Sequence, residues 1–168
     1  MKKNALLLAF GFAALGMASF AQAQTCASPL TPSAPPQSGS GDLCAGGATN
    51  DLGTLCGLFP APANDSIYRF NIDGTRDATT ITVTNNTPAW DVAAYVLSGT
   101  CGGGACLDAV DNAGVGANES VAVGSLTNGT YYLVITTSPT NGASAACGAF
   151  SWAANGRLPV QLQNFSIN

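Results

Sequence analysis

Histidine is absent from this sequence, and lysine occurs only at positions 2 and 3. Those gaps remove most of the groups that exchange protons or activate a nucleophile near neutral pH. Neither a Ser-His-Asp nor a Cys-His device can be assembled, and a Ser-Lys pair would have to use the two lysines at the start. The Asp-Thr-Gly and Asp-Ser-Gly motifs of aspartic proteases are missing, as are a P-loop and a dinucleotide fingerprint. Cys101-Gly102-Gly103-Gly104 is a glycine-rich loop between cysteines, not a phosphate cradle. Only a paired-carboxylate glycosidase mechanism stays formally open, drawing on Asp65, Asp73, Asp91, Asp108, Asp111 or Glu119. The expectation is a protein without catalytic residues.

Positive charge is the next scarcity. Met1-Lys2-Lys3-Asn4 is a basic start, followed by an apolar run from Ala5 to about Ala18 and by Ala21-Gln22-Ala23, the small-residue pattern a signal peptidase reads. Residues 1–23 therefore read as a cleaved signal peptide, with the mature chain opening at Gln24. Gly11, Gly16 and Ser19 interrupt the run, which falls short of the roughly 20 strongly apolar residues of a membrane span. Ala23-Gln24-Thr25 ahead of Cys26 lacks the pattern that precedes a lipidated cysteine. Removing 23 of 168 residues leaves 145, the size of one domain. Both lysines leave with the signal, so Arg69, Arg76 and Arg157 face nine acids, a net charge of −6. A chain this poor in cations cannot neutralise a row of phosphates, which argues against nucleic acid and anionic membranes as partners.

Six cysteines in an exported chain read as three disulfides. Zinc is disfavoured, because no histidine and no second Cys pair answers the Cys101–Cys106 spacing. Nearness in sequence pairs Cys101 with Cys106 and Cys44 with Cys56, leaving Cys26 for Cys147. Six cysteines nonetheless allow about fifteen connectivities.

Ser28 to Gly41 (SPLTPSAPPQSGSG) reads as part of a flexible or extended leader covering residues 24–41, with the folded domain starting near Asp42. Beyond it the pattern is strand and turn. Tyr68, Phe70 and Ile72 alternate with Arg69 and Asn71, and Ile81 and Val83 alternate with threonines. Trp90 to Leu97 is apolar on both faces apart from Asp91, which suggests a central strand. Val121 and Val123 precede Thr127-Asn128-Gly129, a hairpin signal before the strand Tyr131 to Thr136. Phe150 to Trp152 and Val160 to Ile167 read as further strands. About seven short strands without helical periodicity predict an all-β, antiparallel β-sandwich or jelly roll over residues 42–157. A strand or tail over 158–168 follows. Tyr68, Phe70, Ile81, Val83, Trp90, Val92, Val96, Leu133, Ile135 and Trp152 are the predicted core.

These strands resemble the bacterial pre-peptidase C-terminal domain. The features carrying the likeness are Asp65 before Tyr68 and Phe70, Asp91 with Tyr95 and Leu97, and Leu126 with Gly129 to Tyr132. The resemblance spans roughly Asp42 to Ala154 and implies a compact jelly-roll module of a kind usually attached to exported enzymes, standing here on its own. Its relatives assist secretion or bind substrate, and some carry calcium. The tail Leu158-Pro159-Val160-Gln161-Leu162-Gln163-Asn164-Phe165 is similar to segments near the ends of secreted bacterial proteins.

Asp108, Asp111, Asn112 and Glu119 concentrate oxygen ligands with glycines in one stretch, a candidate calcium site. The spacing is not that of an EF-hand, and the competing reading is a set of turn acids bonded to nearby backbone. No other cofactor is implied. The functional expectation is a secreted, non-catalytic module at the cell surface or in the medium, meeting an extracellular protein or glycan. The alternative is a structural protein of an envelope, matrix or filament that assembles with itself.

Overall fold

The computed structural model describes residues 25–32, 37–45, 48–56, 59–60, 63–74, 78–138 and 145–158. The expected signal peptide at 1–23 and the expected strand at 160–167 lie outside these residues. Ten strands occur among them: β1 Ser38–Asp42, β2 Thr54–Leu55, β3 Phe59–Pro60, β4 Ser66–Ile72, β5 Thr80–Asn85, β6 Val92–Ser98, β7 Cys106–Val110, β8 Glu119–Ala122, β9 Gly129–Thr137 and β10 Ala149–Ala154. No described helix is long and apolar enough to cross a membrane.

Two four-stranded antiparallel sheets stack as a β-sandwich. The first runs β1-β10-β5-β8 and the second β4-β9-β6-β7, with β2-β3 a separate small hairpin. Setting that hairpin aside and counting the other eight strands in chain order, the sheets read 1-8-3-6 and 2-7-4-5. That is the strand order of a jelly roll, so the predicted fold class is observed.

Alternation explains which side chains fill the gap. Ile81 and Val83 point inward from β5, while Thr80, Thr82 and Thr84 stay half-exposed on the other face. Tyr68, Phe70 and Ile72 do the same from β4. All ten predicted core residues lie in one buried cluster between the sheets. Trp90 is wholly buried there, its Nε1 donating to Thr137 Oγ1 at 2.9 Å.

β6 departs from alternation, because both of its faces are covered. Val92, Ala94 and Val96 join the main core. Ala93, Tyr95 and Leu97 join a second buried cluster with Leu52, Ile67 and Val134 on the outer side of the second sheet. Cys26, Cys56, Cys101 and Cys106 pack against that outer cluster.

This outer layer overturns the expected cysteine pairing. The bonds are Cys26–Cys101, Cys56–Cys106 and Cys44–Cys147, with Cα–Cα distances of 5.3, 5.2 and 5.2 Å. Cys101 and Cys106 flank the β6–β7 turn and each receives a cysteine from the N-terminal layer instead of the other. Cys44 does not meet Cys56. It follows β1, whose end is held beside residue 147 by the Leu43 amide donating to Gly148 O at 3.0 Å. Sequence distance misled because the described residues between Cys26 and Cys56 lie across both sheets, Leu30 on β4 and β1 on β10.

The leader is also more ordered than its composition suggests. Leu30 extends the edge of β4 in parallel, accepting from Arg69 N at 2.7 Å and donating to Ile67 O at 3.1 Å. Residues 38–42 are an edge strand on β10, so the fold begins before Asp42. The glycines there are not spacers. A Cβ on Gly39 would stand 2.6 Å from Trp152 Nε1, and one on Gly41 2.7 Å from the Phe150 ring. Their absent side chains let the strand lie directly on two core aromatics.

The expected hairpin before Tyr131 is a crossover. β8 pairs with β5 in the first sheet and β9 with β4 and β6 in the second. Val123 and Gly124 donate to Thr79 O at 2.9 and 3.1 Å, and Leu126 turns into the core, carrying the chain from one sheet to the other.

Candidate functional site

The two sheets expose edges β7 and β8 on one side of the sandwich, and Asp108 joins them. Its Oδ2 accepts the Ala122 amide of β8 at 2.7 Å, and its Oδ1 accepts the Ala109 amide at 3.0 Å. Beside this latch lies an open groove of about 480 Å³. Ser98 of β6, Leu107 and Asp108 of β7, Ala122 of β8, Ser125, Leu126 and Thr127 of the β8–β9 connection, and Tyr131 of β9 line it. The tyrosine is fixed by its hydroxyl donating to Thr127 O at 2.8 Å and by stacking on Phe70 at 5.8 Å between ring centroids.

The β6–β7 turn follows directly on Ser98. The Ser98 amide donates to Ala105 O at 2.9 Å, folding the turn so tightly that a Cβ on Gly104 would collide with Ser98 O. A register shift between Val96 and Leu97 sits just before it.

The four predicted calcium ligands do not converge. Asp108 spends both oxygens on the sheet edges. Asp111 Oδ2 accepts the Ser138 hydroxyl at 2.8 Å. Glu119 turns back to the loop that precedes it, accepting the Ala113 amide at 2.7 Å with the Asn112 amide as a second donor. The side chain of Asn112 is exposed. Among the described residues no three histidine, cysteine or acidic side chains stand close enough to share a metal ion. For Asp108 and Glu119 the arrangement is the turn-acid reading, a carboxylate holding backbone amides.

Buried acids lie instead along the outer side of the second sheet. Asp65 is 2% exposed, and its Oδ2 accepts the Asp51 and Leu52 amides at 3.0 and 2.9 Å. Burial raises its pKa to about 6, against the lowering effect of the Thr136 hydroxyl and the two amides. Asp51 continues the chain of contacts, accepting the Cys26 amide at 2.6 Å and the Thr49 hydroxyl at 2.9 Å. Asp65 thus fastens the N-terminal layer that the Cys26–Cys101 and Cys56–Cys106 bonds also hold.

On the same outer face stands Tyr95, fully buried, its hydroxyl without a hydrogen-bond partner among the described residues. Burial first, then the Asp111 and Asp65 charges, push its pKa up to about 12. Asp91 is fully buried as well, and neither carboxylate oxygen has a hydrogen-bond partner among the described residues. Burial also raises Glu119, reinforced by Asp111 and Asp91 and opposed by its two amides.

Residue type alone did not single out Asp65 or Asp91 as buried. The available signal was position, since each acid stands directly ahead of a strand that feeds the core. The groove carried no motif, because its lining comes from four strands and the β8–β9 connection. The chain matches no known protein-family model and no curated protein.

Proposed function

We propose that this chain is an exported, non-catalytic binding or targeting module that acts outside the cell or at its surface. The observation that carries the reading is the open groove between β7 and β8, a concave site of ligand size on a scaffold cross-linked by three disulfides. Its one acid, Asp108, is committed to two backbone amides, and the sequence offers no histidine to act as a base. Three disulfides suit an oxidising compartment, in keeping with the signal-like start. A jelly roll is also what the resemblance to the pre-peptidase C-terminal domain implies.

A second reading has its own observation. The outer face of the first sheet carries Thr80, Thr82, Thr84, Ser151, Ala153, Ser38, Ser40 and Ser120, small neutral side chains, with one charge, Asp42, at the end of β1. Such a face suits lateral stacking in an envelope or filament. Light scattering of the purified mature protein over a wide concentration range separates the two. A monomer that is retained by isolated envelope or extracellular polymer supports the binding module, and ordered growth of particles without any partner supports the structural protein.

A further inference from the structure

We infer that the β7–β8 groove takes a short neutral saccharide, one or two pyranose rings, an assignment that rests on the binding role proposed above. Size is the first argument: about 480 Å³ falls within the roughly 300–1,000 Å³ of small-ligand sites. Charge is the second. Among the described residues no cation lines the groove, and the mature chain carries three arginines against nine acids, so an anionic ligand is poorly matched.

Hydroxyl chemistry is the third argument. Ser125 brings a hydroxyl that both donates and accepts, while Ser98, Thr127 and Tyr131, whose protons go to Ala105 O, Tyr131 Oη and Thr127 O, offer acceptor lone pairs, and a sugar hydroxyl needs both kinds of partner. Asp108 adds an acceptor whose orientation is already fixed by the Ala122 and Ala109 amides, with lone pairs left over. Leu107 is the fourth. It is 44% exposed at the rim, one of two large apolar side chains so exposed among the described residues. An aliphatic surface beside a ring of hydroxyls matches the C–H face and O–H edge of a pyranose.

The test is a titration of the full mature protein with glucose, galactose, N-acetylglucosamine and cellobiose, followed by amide chemical shifts. Saturable shifts are expected at Ser98, Leu107, Ser125 and Thr127. Ser125→Trp, which fills the groove from an exposed turn, should abolish binding, and Leu107→Ser should weaken it about tenfold. Val115→Ser, the other exposed apolar position, should change nothing, and thermal melting should show all three variants folded. Saccharide binding that maps elsewhere or survives Ser125→Trp overturns the groove assignment while leaving the binding role standing. No saturation by any of the four sugars overturns the saccharide class. Absence of retention on envelope or polymer as well would fell the binding role itself.

Discussion

The outer faces of the two sheets are built from the same strand geometry and end up in opposite states. On the first sheet, β5 alternates strictly, and its threonines meet solvent and neighbouring hydroxyls, with Thr82 Oγ1 and Ser120 Oγ 3.2 Å apart. On the second sheet, β6 is apolar on both faces, and Ala93, Tyr95 and Leu97 are covered by the N-terminal layer. A strand that fails to alternate therefore signals a third layer, not merely a central position in a sheet. Covering that face also takes Asp65 and Asp91 out of water, so the covered side carries electrostatic strain that the open side lacks.

The largest test of this contrast is Tyr95→Ala. In a plain two-layer sandwich the outer side of β6 would tolerate truncation. With Tyr95 fully buried, its loss should cost ~3–5 kcal/mol, as much as Phe70→Ala in the main core. Denaturant unfolding at neutral pH measures both, with a typical domain holding only about 5–15 kcal/mol in total. A mild Tyr95→Ala variant would mean that the third layer does not seal the sheet.

Next in size are the cross-links. Cys56 and Cys106 are 50 residues apart and Cys44 and Cys147 are 103 apart. Removing either bond as a double serine variant should cost roughly 2–4 kcal/mol, whereas Cys26 with Cys101 should behave similarly only if the layer is held as described. Peptide mapping without reduction checks the connectivity directly. Recovery of a Cys101–Cys106 peptide would restore the pairing suggested by sequence proximity and detach the layer.

The pH dependence comes third. Asp65 is raised from 3.8 to about 6 in the fold, so between those values the folded state binds the proton that the unfolded chain has already lost. Its contribution to stability is therefore full below about pH 4 and is lost as pH rises through 6, a drop on the order of 2–3 kcal/mol. Glu119 shifts in the same direction. Melting temperatures at a series of pH values should fall across this window, and Asp65→Asn should flatten the slope. A stability that climbs steadily from pH 4 to pH 7 would show that the Asp65 carboxylate is more solvated than its position implies.

These residues also show how far sequence reading reaches. Period-2 alternation located β4, β5 and β10 and the core positions on them, because a strand with one buried face writes that face into every second residue, while Trp90, Val92 and Val96 were read from a stretch apolar on both faces. The same rule could not say what covers the second face of β6, since the cover comes from chain some forty to seventy residues earlier and is fixed by disulfides that proximity cannot pair. Gly39 and Gly41 were misleading for a related reason. A glycine needed for close approach to Trp152 and Phe150 looks the same in sequence as one in a flexible linker. The hairpin signal at Asn128-Gly129 failed because turn chemistry describes the bend and not the sheet into which the next strand is delivered. The groove was least legible of all: Ser98, Asp108, Ser125 and Tyr131 share no spacing, and only the meeting of two sheet edges makes them neighbours.

The smallest expected effect belongs to the open face. Thr82 lies mid-strand in β5, opposite Ala153 on one side and Ser120 on the other, with Ile81 and Val83 pointing the other way into the core. Thr82→Ala removes a half-exposed hydroxyl and methyl and one solvent-accessible contact to Ser120, while the ladder hydrogen bonds of the backbone remain. Alanine has a lower β-propensity than threonine, a difference within about 1 kcal/mol, and substitutions on an open surface away from special features stay near ±0.5 kcal/mol. The melting temperature should therefore move by only a few degrees, within about 4 °C for a domain of this size. The same measurement on Ile81→Ala, one residue away and fully buried, should show a loss of ~2–5 kcal/mol. If Thr82→Ala proved as damaging as Ile81→Ala, the first sheet's outer face would have to be covered too, by a second copy or by chain beyond the described residues, and the contrast between the two faces would disappear.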